Sequence, residues 1–483
     1  MNFRIIIKRL GTVLLILSAC MIPSLIVSII FSEKGWITFA TPIAVIFFIG
    51  IVMQSIKATS SDVFIREGFA IVSFSWIIVS LFGALPYILS KSIPNALDAI
   101  FESISGFTTT GASVLTDIES LPKSIIFWRS STNWMGGMGV LVLLIAVMPT
   151  VKGNNLFILK AESPGPSTEK IVPKIKNTAK LLYLIYITLT IIQVIFLLFG
   201  GMSLFDSLVH SFSTAGTGGF SSKTASIGAF NNLYIEIVIT IFMFLFGINF
   251  TLYFLLLKGN LKNVFKDEEL QFYTIVIIFS VALISLNTFG RIYNSFGQAL
   301  RYSSFQVCSI ITTTGFSTFD YNLWPLFSQT ILIILMFTGA CSGSTSGGLK
   351  CIRILMLFKI ARREISKRIH PRAVSVITLN GKKVEEKDVY SILVYLAVYA
   401  IILLLGVFII SLDNKDFLTT LSSVISTINN IGPSLGAAGP AGNFAQFSPL
   451  SKVVFSFLML IGRLEMYPLL MLIVPKFWTK QNI

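Results

Sequence analysis

The chain has 483 residues, 54% of them hydrophobic and 12% charged, with a formal net charge of +15. A soluble globular protein carries about 25% charged residues and does not leave this much apolar surface in water. The composition therefore excludes a soluble enzyme and calls for an all-α polytopic membrane protein, each crossing using roughly 20 apolar residues. No polar stretch is long enough for a separate catalytic domain. Cys20, Cys308, Cys341 and Cys351 have no paired spacing, and the two histidines, His210 and His370, form no HExxH pattern. Neither a disulfide framework nor a zinc hydrolase is indicated.

In chain order, apolar runs long enough to cross lie near residues 10–31, 36–56, 68–90, 131–150, 181–201, 232–257, 271–289, 390–411 and 452–475. The first has a basic start that also suits a signal peptide, but its apolar run continues to about Phe31 and reads as a retained span. A tenth run begins near Leu323 and extends toward Ile365. As one helix it would measure roughly 60 Å, about twice the hydrocarbon thickness. Its middle is Gly339-Ala340-Cys341-Ser342-Gly343-Ser344-Thr345-Ser346-Gly347-Gly348, and such free backbone and competing hydroxyls break helices. The run is expected to be a helix broken inside the membrane.

With the amino terminus in the cytoplasm, 27 of the 37 Lys and Arg residues fall on inner segments, as the positive-inside rule requires. The basic loops either serve topology alone or also dock an acidic partner or anionic lipid. Their spread over several short segments argues against nucleic acid.

The chain also repeats itself. Phe101-Glu102-Ser103-Ile104-Ser105-Gly106-Phe107-Thr108-Thr109-Thr110-Gly111 follows the third run, and Phe205-Asp206-Ser207 leads to Ser213-Thr214-Ala215-Gly216-Thr217-Gly218-Gly219-Phe220 after the fifth. Phe305-Gln306-Val307-Cys308-Ser309-Ile310-Ile311 leads to Thr312-Thr313-Thr314-Gly315-Phe316 after the seventh. A weaker copy, Ser422 to Pro433, contains Asn429-Asn430-Ile431-Gly432. The unit is span, re-entrant hairpin, span, repeated four times after two extra helices. Residues 1–60 hold those helices, and the repeats occupy 61–152, 176–260, 268–370 and 385–483.

All four hairpins fall on the outer face, too short to cross and too apolar for ordinary loops. Irregular backbone at membrane depth is tolerated where it lines a wet cavity, so four copies around one axis imply a pore. Threonine favours extended backbone and glycine permits left-handed torsions. Together they turn successive carbonyls toward the axis, where the oxygens replace a cation's hydration shell. Each hairpin helix would aim its negative dipole end at the ion. Glu102 and Asp206 are placed at the outer starts of two hairpin helices, either complementing the dipole or concentrating cations.

At these motifs the chain resembles the Trk, Ktr and HKT superfamily of potassium transporters, most closely the TrkH type, over nearly its whole length. The matching residues are Thr110-Gly111-Ala112, Thr217-Gly218-Gly219-Phe220-Ser221, Thr314-Gly315-Phe316-Ser317-Thr318, Asn430-Ile431-Gly432-Pro433 and Trp134-Met135-Gly136-Gly137-Met138-Gly139. The resemblance implies a selectivity filter of Thr110, Gly111, Thr217, Gly218, Thr314, Gly315, Asn430, Ile431 and Gly432. Plant relatives that pass sodium often replace the first filter glycine by serine, so glycine at 111, 218, 315 and 432 implies potassium as the transported ion. Residues 339–348 resemble the family's intramembrane gate loop, with Ala340 departing from the expected glycine pair; a passive kink is the alternative.

Arg463, deep in the last run, is implied to form an electrostatic barrier in the pore, or else a structural pair; Glu465, two residues on, faces elsewhere. Lys350 either holds the loop, adding to the barrier, or faces the cytosol. The resemblance further implies a homodimer in a bacterial inner membrane, amino terminus cytoplasmic, with a TrkA-type regulatory subunit that binds NAD or ATP. The chain has no nucleotide motif of its own, and no bound cofactor is expected. The rivals are a sodium- or proton-coupled symporter of the same fold and a membrane-embedded enzyme, the latter short of the ionisable residues a catalytic cleft requires.

Overall fold

The computed structural model describes residues 1–33, 35–57, 64–139, 175–372 and 375–479. Among these, six helices are long and apolar enough to cross a membrane: Phe3–Ile30, Ile37–Gln54, Arg66–Leu89, Lys180–Phe199, Glu268–Thr288 and Glu386–Asp413. They correspond to six of the nine expected spans. Burial separates them: 56% of the Arg66–Leu89 window is inside the protein, against 17% for Glu386–Asp413. The first is an interior helix; the second gives most of its apolar surface, including Ile401, Leu404 and Phe408, to the surroundings.

The four hairpin helices are Ala96–Phe107, Leu204–Gly216, Phe296–Ile311 and Phe417–Ile428. With 12, 13, 16 and 12 residues, they reach roughly 18–24 Å, short of the ~30 Å hydrocarbon core. Three start at side-chain caps: Asn95, Ser203 and Asp416 accept hydrogen bonds from the backbone N–H groups of Leu97, Asp206 and Thr419. Asp206 lies in its helix's first turn, as expected. Glu102 does not. It sits at mid-helix, fully buried, and the first-turn acid of that helix is Asp98.

The helices leaving the hairpins depart most from the sequence reading, because each is interrupted within the described residues. In repeat 1 the helix Lys123–Gly137 ends at Met138; the rest of the run expected over 131–150 lies outside the described residues. In repeat 2 the single span expected over 232–257 is a pair, Leu233–Phe246 and Phe250–Leu257, bent by 91°. In repeat 3 Leu326–Thr338 and Cys351–Ile369 flank the Gly- and Ser-rich loop, as expected for a broken helix. In repeat 4 the expected 452–475 span is Pro449–Arg463 followed by Tyr467–Ile473, with Glu465 and Met466 at φ 55° and 66°. Arg463 is therefore the last residue of a helix rather than the middle of one.

Close approach accounts for the glycines before two of these breaks. A Cβ on Gly136 would lie on the Phe107 carbonyl oxygen, and one on Gly462 on that of Ile428. Both outgoing helices thus press bare backbone against the inner end of their own hairpin helix.

A buried ion pair braces repeat 1 and packs against Phe220 of repeat 2. Arg129 Nε and Nη2 donate to Glu102 Oε1 at 2.9 and 2.7 Å, and the guanidinium lies 4.1 Å from the centroid of the Phe220 ring. Glu102 also accepts from Ser113 Oγ and the Val114 N–H, both at 3.0 Å. Removing one member of such a pair leaves a buried charge alone, which costs about 3–5 kcal/mol. Arg129→Met should destabilise the folded protein by that amount in thermal unfolding in detergent, and Glu102→Gln added to it should recover most of the loss.

Candidate functional site

Each hairpin helix ends in a turn with two left-handed residues, separated by one other. The pairs are Thr109 and Gly111 (φ 56° and 78°), Thr217 and Gly219 (55° and 66°), Thr313 and Gly315 (57° and 83°), and Asn430 and Gly432 (55° and 101°). The residue between them donates its N–H to the same helical serine in every copy: Thr110 to Ser105, Gly218 to Ser213, Thr314 to Ser309 and Ile431 to Ser426, each at 2.9 Å. These bonds set the register of the repeat and correct the sequence alignment by one residue. Gly219, not Gly218, is the counterpart of Gly111, Gly315 and Gly432; Gly218 stands with Thr110, Thr314 and Ile431. The extra glycine in Thr217-Gly218-Gly219 had disguised this.

The threonines also differ from expectation. Thr109, Thr217 and Thr313 are left-handed rather than extended. Such a conformation costs a β-branched residue about 1–3 kcal/mol and persists only where the surroundings impose it.

The four turns close into a ring. A Cβ on Gly111 would fall on the Gly218 carbonyl oxygen, one on Gly219 on that of Thr314, one on Gly315 on that of Ile431, and one on Gly432 (2.5 Å) on that of Thr110. Repeat 1 thus touches 2, 2 touches 3, 3 touches 4 and 4 touches 1, always glycine against carbonyl. The carbonyls of Thr110, Gly218, Thr314 and Ile431 form the cycle. Asn430 Nδ2 adds a direct tie from repeat 4 to repeat 1 by donating to Thr110 Oγ1 at 3.0 Å.

Above the ring lies a cavity of about 660 Å³ lined by Gly111, Gly219, Gly315 and Gly432, with Glu119, Asp320, Arg129 and Lys223 in its walls. Hydrogen bonds from Thr224 hold the exposed Glu119 carboxyl below its ordinary pKa, so it stays ionised at this mouth.

Below the ring lies the loop of repeat 3. The Gly347 N–H donates to Thr313 Oγ1 at 2.9 Å, and a Cβ on Gly347 would meet Asn430 Cβ at 2.7 Å. Both contacts are to inner left-handed positions of the ring. The loop is fastened from several sides. Cys341 N–H donates to the Gly247 carbonyl and Phe250 N–H to the Gly343 carbonyl, both at 3.1 Å, so the bend in repeat 2 exists to receive it. Buried Glu269 accepts from Ser342 N–H and Oγ (2.6 and 2.7 Å) and from the Ile352 N–H (3.2 Å), joining both ends of the loop.

Arg463 makes the remaining connection. Its Nη1 donates to the Thr345 carbonyl at 2.7 Å, and its Nη2 to the Gly136 carbonyl at 2.6 Å and the Gly137 carbonyl at 3.2 Å. One guanidinium therefore links the breaks of repeats 1, 3 and 4. Lys350, at φ 69°, is buried and donates through Nζ to the Ser346 carbonyl, so it holds the loop and does not face the cytosol. Arg353, one turn into the basic helix after the loop, is buried as well. It pairs with Glu465 at 2.6 Å and lies 3.8 Å from the Tyr395 ring centroid.

The candidate residues thus come together as two stacked layers, ring and loop. Sequence reasoning missed Glu269, the Gly247–Asn249 bend and the Arg353–Glu465 pair. The signals were present as an acid at the edge of a span, a Gly-Ile-Asn inside an apolar run, and an acid just past Arg463. None belongs to a repeated motif.

Comparison with known proteins agrees with this architecture. A family model described as "TrkH: Cation transport protein" matches residues 37–480. The Trk system potassium uptake proteins TrkH of Salmonella typhimurium and of Escherichia coli K12 are 39% and 38% identical, over 99% of this chain and 100% of theirs. The crystal structure of the potassium transporter TrkH from Vibrio parahaemolyticus superposes with a TM-score of 0.91 at 34% identity, covering 99% of this chain and 100% of that one. A full-length match in sequence and in the path of the backbone makes this chain a multi-pass membrane protein and a member of the TrkH family of cation transport proteins.

Proposed function

We propose that this protein takes up potassium through a single filter made by the four turns. The cycle of glycine-to-carbonyl contacts carries the reading. It brings four backbone oxygens together from four equivalent turns, at the negative ends of four short helices, beneath an open vestibule. That arrangement replaces a cation's hydration shell without any acidic side chain. Uptake follows the membrane potential, worth about 2.3 kcal/mol per charge per 100 mV. The relatives named as potassium uptake proteins support the choice of ion.

The loop 339–348 acts as the gate and Arg463, with Lys350, as its electrostatic bar. Arg463 holds the loop through Thr345 and puts a fixed positive charge beneath the proposed filter, so opening requires the Thr345 and Gly347 bonds to break. The protein works as a homodimer in the inner membrane, its amino terminus cytoplasmic. The force that moves the loop comes from a cytoplasmic Rossmann-type subunit of the TrkA kind that binds NAD or ATP. It docks on the basic inner segments and pulls on Cys351–Ile369, the helix leaving the loop, whose last turn carries Lys367 and Arg368.

Three measurements in proteoliposomes test this. Potassium flux should proceed without any imposed sodium or proton gradient, and strict dependence on such a gradient would establish coupled transport instead. Gly219→Ser should lower the potassium over sodium permeability ratio by about tenfold, equivalent to ~1.4 kcal/mol of discrimination. Deleting Cys341 to Ser346, or replacing Arg463 by Gln, should raise basal potassium flux in the absence of any partner subunit; a folded variant with unchanged flux would remove the gate from this reading.

A further inference from the structure

Resting on the filter reading, we infer that His210 is a positioning residue for the second turn of the ring. Its imidazole is fully buried near the middle of the hairpin helix Leu204–Gly216. Nδ1 lies 2.7 Å from the Asp206 carbonyl oxygen and Nε2 lies 2.9 Å from Ser221 Oγ. A carbonyl only accepts, so Nδ1 carries the hydrogen and Nε2 offers its lone pair. Ser221 Oγ accepts from the Lys223 N–H at 3.0 Å, and its own hydrogen is then directed at Nε2. The result is a one-way chain: Lys223 N–H to Ser221 Oγ–H to the imidazole to the Asp206 carbonyl. It fixes the strand two residues beyond Gly219 to the body of the hairpin helix. Phe230 and Phe316 pack on the ring at 5.2 and 5.8 Å between centroids, and hold its plane.

The pseudo-symmetry shows why this position matters. Counted from the shared serine of each hairpin helix, His210 is the counterpart of Glu102, and Ser221 of Ser113. Glu102 accepts from Ser113 Oγ in the same way. Repeats 3 and 4 secure their turns differently, by hydroxyls one helical turn closer to the ring: Ser309 Oγ donates to the Phe316 carbonyl at 2.6 Å and Ser426 Oγ to the Gly432 carbonyl at 2.7 Å. The corresponding serines of repeats 1 and 2 do not do this. Among the described residues Ser105 Oγ has no partner, and Ser213 Oγ takes only a 3.4 Å contact from Asn133. The strand after Gly219 therefore depends on His210 at Ser221, with Asp206 accepting from the adjacent Ser222 Oγ at 2.6 Å. No motif in the hairpin names His210 as part of the filter; its place in the repeat does.

The test is a double-mutant cycle read as the potassium over sodium permeability ratio of the full-length protein in liposomes. His210→Phe and Ser221→Ala should each lower the ratio about threefold to tenfold, the effect of losing one ordinary hydrogen bond. The double variant should be no lower than the worse single one, because both break the same chain. His210→Gln, which can both donate and accept, should restore the ratio; a residue that merely fills space would not be rescued this way. A wild-type ratio in Ser221→Ala, which removes one oxygen atom and should fold even where His210→Phe does not, would overturn the assignment, and so would independent, multiplicative losses. Gly219→Ser serves as the control. If it lowers the ratio while Ser221→Ala does not, only the role of His210 falls; if Gly219→Ser also changes nothing, the filter reading itself fails.

Discussion

The structure depends on four backbone segments approaching so closely that no side chain fits between them. At Gly111, Gly219, Gly315 and Gly432 a single methyl group would overlap the next repeat's carbonyl oxygen. Everything around the ring serves to hold that contact. The hairpin helices are short because they must stop at it. The outgoing helices press glycine backbone on the hairpin ends, at Gly136 against Phe107 and Gly462 against Ile428. Strained threonines are retained where an extended chain would be easier, since the N–H bonds to Ser105, Ser213 and Ser309 leave them no alternative.

The pseudo-fourfold plan is carried by backbone, while the side chains behind it have diverged. A carboxylate paired with arginine supports the first turn, an imidazole the second, and serine hydroxyls the third and fourth. Divergence is tolerable because each device performs one task, tying a strand to its hairpin helix by a hydrogen bond that buried polar groups must make in any case. The inner breaks show the same division. All four outgoing helices stop in the same part of the repeat, and among the described residues the third opens into a long loop. Gly247 and Arg463, at two of the other breaks, bind it directly, and Gly136, at the remaining one, accepts from Arg463. The proposed gate is thus built by the whole molecule, although one repeat contributes its chain.

Much of this was legible in the sequence, for reasons that differ by level. The six long spans were, because a crossing is a matter of apolar length, and so were the four hairpins, because their Thr- and Asn-rich turns recur at equivalent places. The Gly339–Gly348 break was legible because glycine and serine cannot sustain a 60 Å helix. The bend at Gly247–Asn249 and the stop after Arg463 were not. In each, apolar residues run on past the break, and hydropathy does not register a helix that turns aside to meet a loop.

The sequence by itself determined that this is a membrane protein with four recurring motifs that end in glycine, since composition and recurrence are properties of the chain alone. Only the tertiary structure decided which glycine of Gly218-Gly219 completes the ring, that Glu102 is a buried brace rather than a helix-end charge, that Lys350 and Arg353 lie inside rather than on the cytoplasmic surface, and that Arg463 closes on Thr345 and Gly136. Each of these turns on the partner a group meets in the folded chain, from 4 residues away for Lys350 and Ser346 to 327 for Arg463 and Gly136. A hydrogen bond or a missing Cβ acquires its role from the neighbour it faces, and the neighbour is set by the fold.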